Sequence, residues 1–129
     1  MNKLSIFVLS ISIFCSGYSL AKEEQTTNLS KKEIEKILVD KFVNIAAAYY
    51  INKNCHFLSK EETAEYVGQI SNLNLYANRL IGDRVFAAQN KGKAISTHEK
   101  LKSCGEHAKT IFTANRMLTQ MMYEDLILK

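Results

Sequence analysis

The sequence contains no proline and only five glycines in 129 residues. Four of those glycines, Gly68, Gly82, Gly92 and Gly105, lie beyond residue 21, so the chain has few places to reverse sharply. Proline and glycine punctuate hairpins and tight turns, and their scarcity predicts long uninterrupted helices. Catalytic signatures are missing too: there is no glycine-rich phosphate loop, no Cys-x-x-Cys-His haem run and no internal repeat. Glu61, Glu62 and Glu65 cluster in a first helical turn, where the helix dipole favours exposed carboxylates, so they do not make an inward acid and base pair. Nor do the cations gather. Arg84, Lys91, Lys93, Lys100 and Lys102 are diluted by Asp83 and Glu99, which argues against the basic stripe of a nucleic-acid binder.

Long apolar runs are also absent, save for Leu4 to Phe14. That run follows Met1-Asn2-Lys3 and precedes Cys15-Ser16-Gly17-Tyr18 and the small-residue site Ser19-Leu20-Ala21. The order is that of a secretory signal peptide over residues 1–21, and the run is too short to span a bilayer. Cys15 raises the question of a lipid anchor, but bulky Phe14 stands where lipoprotein processing wants a small residue. The reading places the protein in the bacterial periplasm or outside the cell, with no stable membrane insertion once the signal is cleaved. Residues 22–29 begin Lys-Glu-Glu-Gln-Thr-Thr-Asn, polar and without periodicity, as a flexible leader does. Removing 21 of 129 residues leaves 108, enough for one helical domain over residues 30–129 with one core. The 17 Lys and Arg against 13 Asp and Glu become 16 against 13, a weak +3, when Lys3 is set aside.

What is present is helical punctuation. Ser30-Lys31-Lys32-Glu33 has the spacing of a capping box, with Leu29 and Ile34 at the staple positions. Ile34, Leu38, Phe42, Ile45 and Tyr49 then form one stripe on a helix running to about Asn52. Ser59-Lys60-Glu61-Glu62 opens a second helix with Tyr66, Val67, Ile70, Leu73, Ala77 and Leu80 inward, and Asn72, Asn74 and Asn78 outward. Gly82 supplies a left-handed stop and Asp83 a cap for a third helix carrying Val85, Ala88, Ile95 and Leu101. Gly92 lowers helix propensity by about 1 kcal/mol there, which leaves two readings open, one long third helix or two shorter ones broken between Asn90 and Lys93. Ser103-Cys104-Gly105-Glu106 repeats the box spacing before a last helix with Ala108, Ile111, Ala114, Leu118, Met121 and Met122 inward. Short connections between four helices favour an all-α, up-down-up-down four-helix bundle.

In that topology the first and third connections share one end, which brings Cys55 and Cys104 together. An oxidising compartment would join them in a structural disulfide. Closing a loop of about 50 residues contributes on the order of 4 kcal/mol on the chain-entropy model, comparable with the whole stability of a small domain. A rival use of the same residues is a tetrahedral metal site of Cys55, His56, Cys104 and His107, although adjacent Cys55 and His56 aim poorly at one ion. A Cys–His nucleophile is weaker still, because an oxidised sulfur does not attack. Met117, Met121 and Met122 have soft-metal chemistry but read as adaptable core filling. Tyr49 and Tyr50 read as amphipathic rings at a core edge rather than a ligand-stacking pair, and His98 as exposed.

Tyr50, Cys55, Phe57-Leu58-Ser59, Gly82-Asp83 and Cys104-Gly105-Glu106-His107-Ala108 together resemble the spacing of a group of small exported bacterial helical proteins. In that group one cysteine precedes a helix-capping Leu-Ser and another stands in Cys-Gly-x-x-Ala. The resemblance covers roughly residues 46–118 and implies export, helices and the bridge, with no activity or cofactor attached. In size and in its two cysteines beyond residue 21, the chain is also similar to periplasmic acid-stress chaperones of enteric bacteria, without a shared motif. The expectation is a non-enzymatic protein-binding module that meets another envelope or secreted protein, of inhibitor, immunity or stress-chaperone type. The alternative is a metal-binding envelope protein built on Cys55, Cys104 and His107.

Overall fold

The computed structural model describes residues 29–128. The signal peptide expected over residues 1–21, with Cys15, and all of the expected leader but Leu29 lie outside them. The described residues fold into five helices and no strand: α1 (Lys31–Cys55), α2 (Lys60–Ile81), α3 (Arg84–Ser96), α4 (Glu99–Lys102) and α5 (Glu106–Ile127). None of these helices is long and apolar enough to cross a membrane.

Of the three expected capping boxes one forms completely. The Ser59 hydroxyl accepts from the Glu62 backbone N–H at 3.1 Å, and the Ser59 N–H donates to the Glu62 carboxylate at 3.1 Å. At α1 the Ser30 hydroxyl accepts from the Glu33 N–H, but the Glu33 carboxylate accepts from that same hydroxyl, leaving the box half made. At α5 the expected Ser103 cap is displaced. Cys104 adopts φ +62°, Gly105 becomes the cap residue, and the Ser103 hydroxyl donates back to the Lys100 carbonyl at 3.4 Å. Asp83 precedes α3 but makes no side-chain cap.

α1 is the axis of the packing. The sequence gives it one apolar stripe, whereas the structure buries Phe42, Val43, Ile45, Ala46, Ala47, Ala48, Ile51 and Asn52 on several sides. The small residues explain the second face. A Cβ added to Gly92 of α3 would stand 2.6 Å from the Ala46 Cβ and 2.6 Å from the Val43 carbonyl oxygen, so glycine here is a site of close approach. Of the two readings left open at Gly92, the continuous one holds there: α3 runs through it, because backbone contact with α1 outweighs the propensity cost. The interruption falls at Thr97 and His98, where the Ser96 and Thr97 hydroxyls donate at 2.6 Å to the Lys93 and Ala94 carbonyls and His98 turns extended. One turn, α4, follows and buries Leu101.

Three ties order α3 along α1. Arg84, the first residue of α3, pairs with Glu35 at 3.1 Å. Gly92 meets residues 43 to 47, and beyond α3 the Cys55 sulfur comes 3.8 Å from the Leu101 carbonyl oxygen. Residue numbers rise together, so α1 and α3 run in the same direction. On the opposite flank Tyr66 of α2 meets Phe112 of α5 edge to face, with centroids 5.7 Å apart, and Phe57 completes the cluster at 5.7 Å from Phe112.

Candidate functional site

The two sulfurs meet where the sequence places them. Cys55 closes α1, Cys104 stands just before α5, and they form a disulfide with their Cα atoms 5.4 Å apart, within the usual range for the bond. Its surroundings hold both non-glycine residues of positive φ among those described, His56 at +55° and Cys104 at +62°. The Asn54 side-chain amide donates to the Lys102 carbonyl at 3.2 Å and lies 3.7 and 3.6 Å from the two sulfurs, tying the end of α1 to the α4–α5 connection.

Because the sulfurs are bonded to each other, the set Cys55, His56, Cys104 and His107 is not assembled as thiolate ligands. Both histidines are exposed, and among the described residues no group of three or more His, Cys, Asp and Glu side chains could hold an ion. The methionines do not share one environment either: Met122 is in the core, Met121 half-buried, and Met117 exposed.

A different feature offers a binding surface. α3 is drawn onto α1 at Gly92, while α2 also packs on α1, and the space between α2 and α3 stays open above the α1 surface. Near Tyr49 and Tyr50 it is a cavity of about 240 Å³ floored by Phe42, Ile45 and Ala46. Toward the α2–α3 turn it widens into a shallower depression of about 500 Å³ beside Leu75, Asn78 and Phe86. Ser71, Asn74 and Gln89 line both, so the two are one continuous groove.

The rims are apolar and the middle is neutral and polar. Val67, Leu75 and Phe86 are 36%, 63% and 68% exposed, which makes this groove the site of half of the six exposed large hydrophobic side chains among the described residues. Asn74, Asn78 and Gln89 make no side-chain hydrogen bond within the described residues, whereas neighbouring Asn72 donates to its own helix at the Gly68 carbonyl. The ends differ in charge. At one, the Lys53 and Lys93 ammonium groups stand 5.9 and 5.6 Å from the Tyr50 ring centroid; at the other is Asp83. The sequence signals for the groove were Asn74 and Asn78 at one-turn spacing and Tyr50, but Gln89, Leu75 and Phe86 carried no signal before α3 was placed.

A smaller hollow of about 160 Å³ lies between Phe57, Phe112 and Met117 beside Lys109 and Arg116. Arg116 there approaches Glu62 at 3.9 Å. The Ser59 N–H and hydroxyl, followed by Arg116, hold the Glu62 carboxyl below its ordinary range. This carboxylate serves the α2 cap. No known protein family matches the chain, and no curated protein or solved structure is detectably similar to it.

Proposed function

We propose that this protein is a non-enzymatic interaction module of the bacterial envelope, exported by residues 1–21 and binding another envelope or secreted protein. The observation that carries the reading is the α2–α3 groove, where apolar rims and unpaired amides stand side by side on a cross-linked helical scaffold. Such a surface gains by covering Val67, Leu75 and Phe86 and by satisfying the amides. Membership in the group of small exported helical proteins, which the residues around both cysteines resemble, belongs to the same reading. So does an up-down-up-down order of the four long helices, with α4 as a one-turn elaboration. The shared direction of α1 and α3 and the disulfide at one end support that order.

The test is site-specific photocrosslinking in the native envelope, with a photoreactive residue at position 86 and a control at exposed position 109. A reproducible protein partner captured from position 86 and not from position 109 is the expected result. Equal yields from both positions would remove the groove as the binding surface. The two subtypes separate in acid. A stress-chaperone type loses fixed tertiary structure and binds a hydrophobic dye on approach to about pH 2, while an inhibitor or immunity type keeps its circular dichroism and binds no dye.

A further inference from the structure

We infer that the α2–α3 groove takes an extended polypeptide segment, gripped through its backbone by Asn74, Asn78 and Gln89 and oriented with its acidic end toward Lys53 and Lys93. The inference rests on the protein-binding reading above and names the class of partner.

Side-chain amides each carry a donor and an acceptor, the complement of a peptide unit. Asn74 and Asn78 are four residues apart on α2, so their amides repeat along the groove at roughly 6 Å. An extended chain presents its peptide groups on one edge every two residues, at roughly 6.5 to 7 Å. The two repeats agree closely enough for two successive amides to engage one edge, and Gln89 faces the segment from α3. A bound helix fits this chemistry badly. Its backbone hydrogen bonds are satisfied internally, and packing it into the groove would bury the three amides without partners. An apolar small molecule would leave them equally unpaired.

Alternating side chains of an extended segment point to opposite faces, so every second residue would turn down toward the Phe42 and Tyr49 cavity or out against Leu75 and Phe86. Backbone recognition makes the site tolerant of sequence. Charge supplies direction instead: the two lysines at the Tyr50 end favour an acidic residue or a free carboxyl terminus, and Asp83 at the other end favours a cation or a free amino terminus.

The experiment uses the protein expressed from the full chain, with its disulfide intact, and a labelled octapeptide, acetyl-Ser-Leu-Ser-Val-Ser-Leu-Ser-Glu, with a free C-terminal carboxylate. Binding is followed by fluorescence polarisation. Methylating alternate backbone nitrogens of the peptide is expected to weaken binding by about tenfold or more, since it removes donors without changing any side chain. Asn78→Leu and, independently on α3, Gln89→Leu should each weaken it several-fold while circular dichroism stays unchanged. Lys93→Glu should shift preference toward a peptide ending in lysine amide. If the methylated peptide binds as well as its parent, or if a longer helix-forming peptide displaces it, the proposal is wrong. Absence of octapeptide binding while position 86 still crosslinks a partner defeats this inference and leaves the protein-binding role standing. Absence of both defeats both.

Discussion

Two buried polar side chains show how much a single residue decides here. Asn52 reads in the sequence as the end of α1, yet the helix continues to Cys55 and Asn52 is 4% exposed. Its side-chain oxygen Oδ1 accepts from the Leu58 N–H at 3.1 Å and its side-chain Nδ2 donates to the Thr63 hydroxyl at 3.4 Å, so it folds the α1–α2 connection against the helix. Periodicity has no means of distinguishing such an asparagine from an exposed one. Tyr66 is the opposite case, correctly expected inside but with a hydroxyl that has no hydrogen-bond partner among the described residues. Burial pushes its ionisation well above the ordinary value of 10.0, with nearby Tyr49 adding to and Arg116 opposing the shift. The unfolded chain releases this proton near its ordinary pKa while the folded protein keeps it. Stability from this group is therefore complete below about pH 10 and falls as pH rises above that. Tyr66→Phe is expected to stabilise the protein by about 1 kcal/mol at neutral pH and to flatten part of the alkaline loss, measured by urea denaturation across the pH range. A destabilisation larger than that would reveal a partner for the hydroxyl.

At the scale of an element, the two glycines inside long helices make opposite forecasts. Gly68 in α2 has no atom of the described residues within 4 Å of an added Cβ, so Gly68→Ala should gain close to the full propensity difference, about 1 kcal/mol. Gly92→Ala gains the same propensity but drives its methyl into Ala46 and the α1 backbone, where overpacking costs about 1 to 3 kcal/mol and the neighbouring atoms are not flexible side-chain ends. A net loss is expected for Gly92→Ala, and thermal melts of the two variants should move in opposite directions. If Gly92→Ala also melts higher, the α1–α3 approach is looser than described. Elements were the most legible level of the sequence: both well-formed serine caps, the Gly82 stop and most inward residues follow from spacing alone. Val67 was expected inside and is at the rim, while Phe112 and Ile81 were not expected inside and are buried. The errors share a cause. A stripe drawn for one contact face misses helices that touch neighbours on two, and the tight fit at Gly92 depends on residues 43 to 47, far away in the chain.

For the whole molecule, the disulfide is the largest single constraint. It joins residues 49 apart in sequence, and the chain-entropy model gives that closure about 4 kcal/mol. The double variant Cys55→Ala with Cys104→Ala should lose stability on that order, read from urea denaturation with the slope fitted for each protein, because freeing the unfolded chain exposes more surface and steepens it. A loss below about 1 kcal/mol would mean that Asn54 and the Leu101 contacts hold that end without the bond. The pairing was legible because the topology expected from short connections puts both cysteines at one end. The groove was not, since its walls come from helices that the sequence gives no reason to separate.

The bond also has a geometric corollary. Cys55 and Cys104 close the chain into a hoop that contains all of α2 and α3, so both walls of the groove belong to one covalent circle whose clasp sits at the C-terminal end of α1. Any guest that needs those walls at a set spacing must then favour the fastened clasp, and a reductant and a guest oppose one another through the same equilibrium.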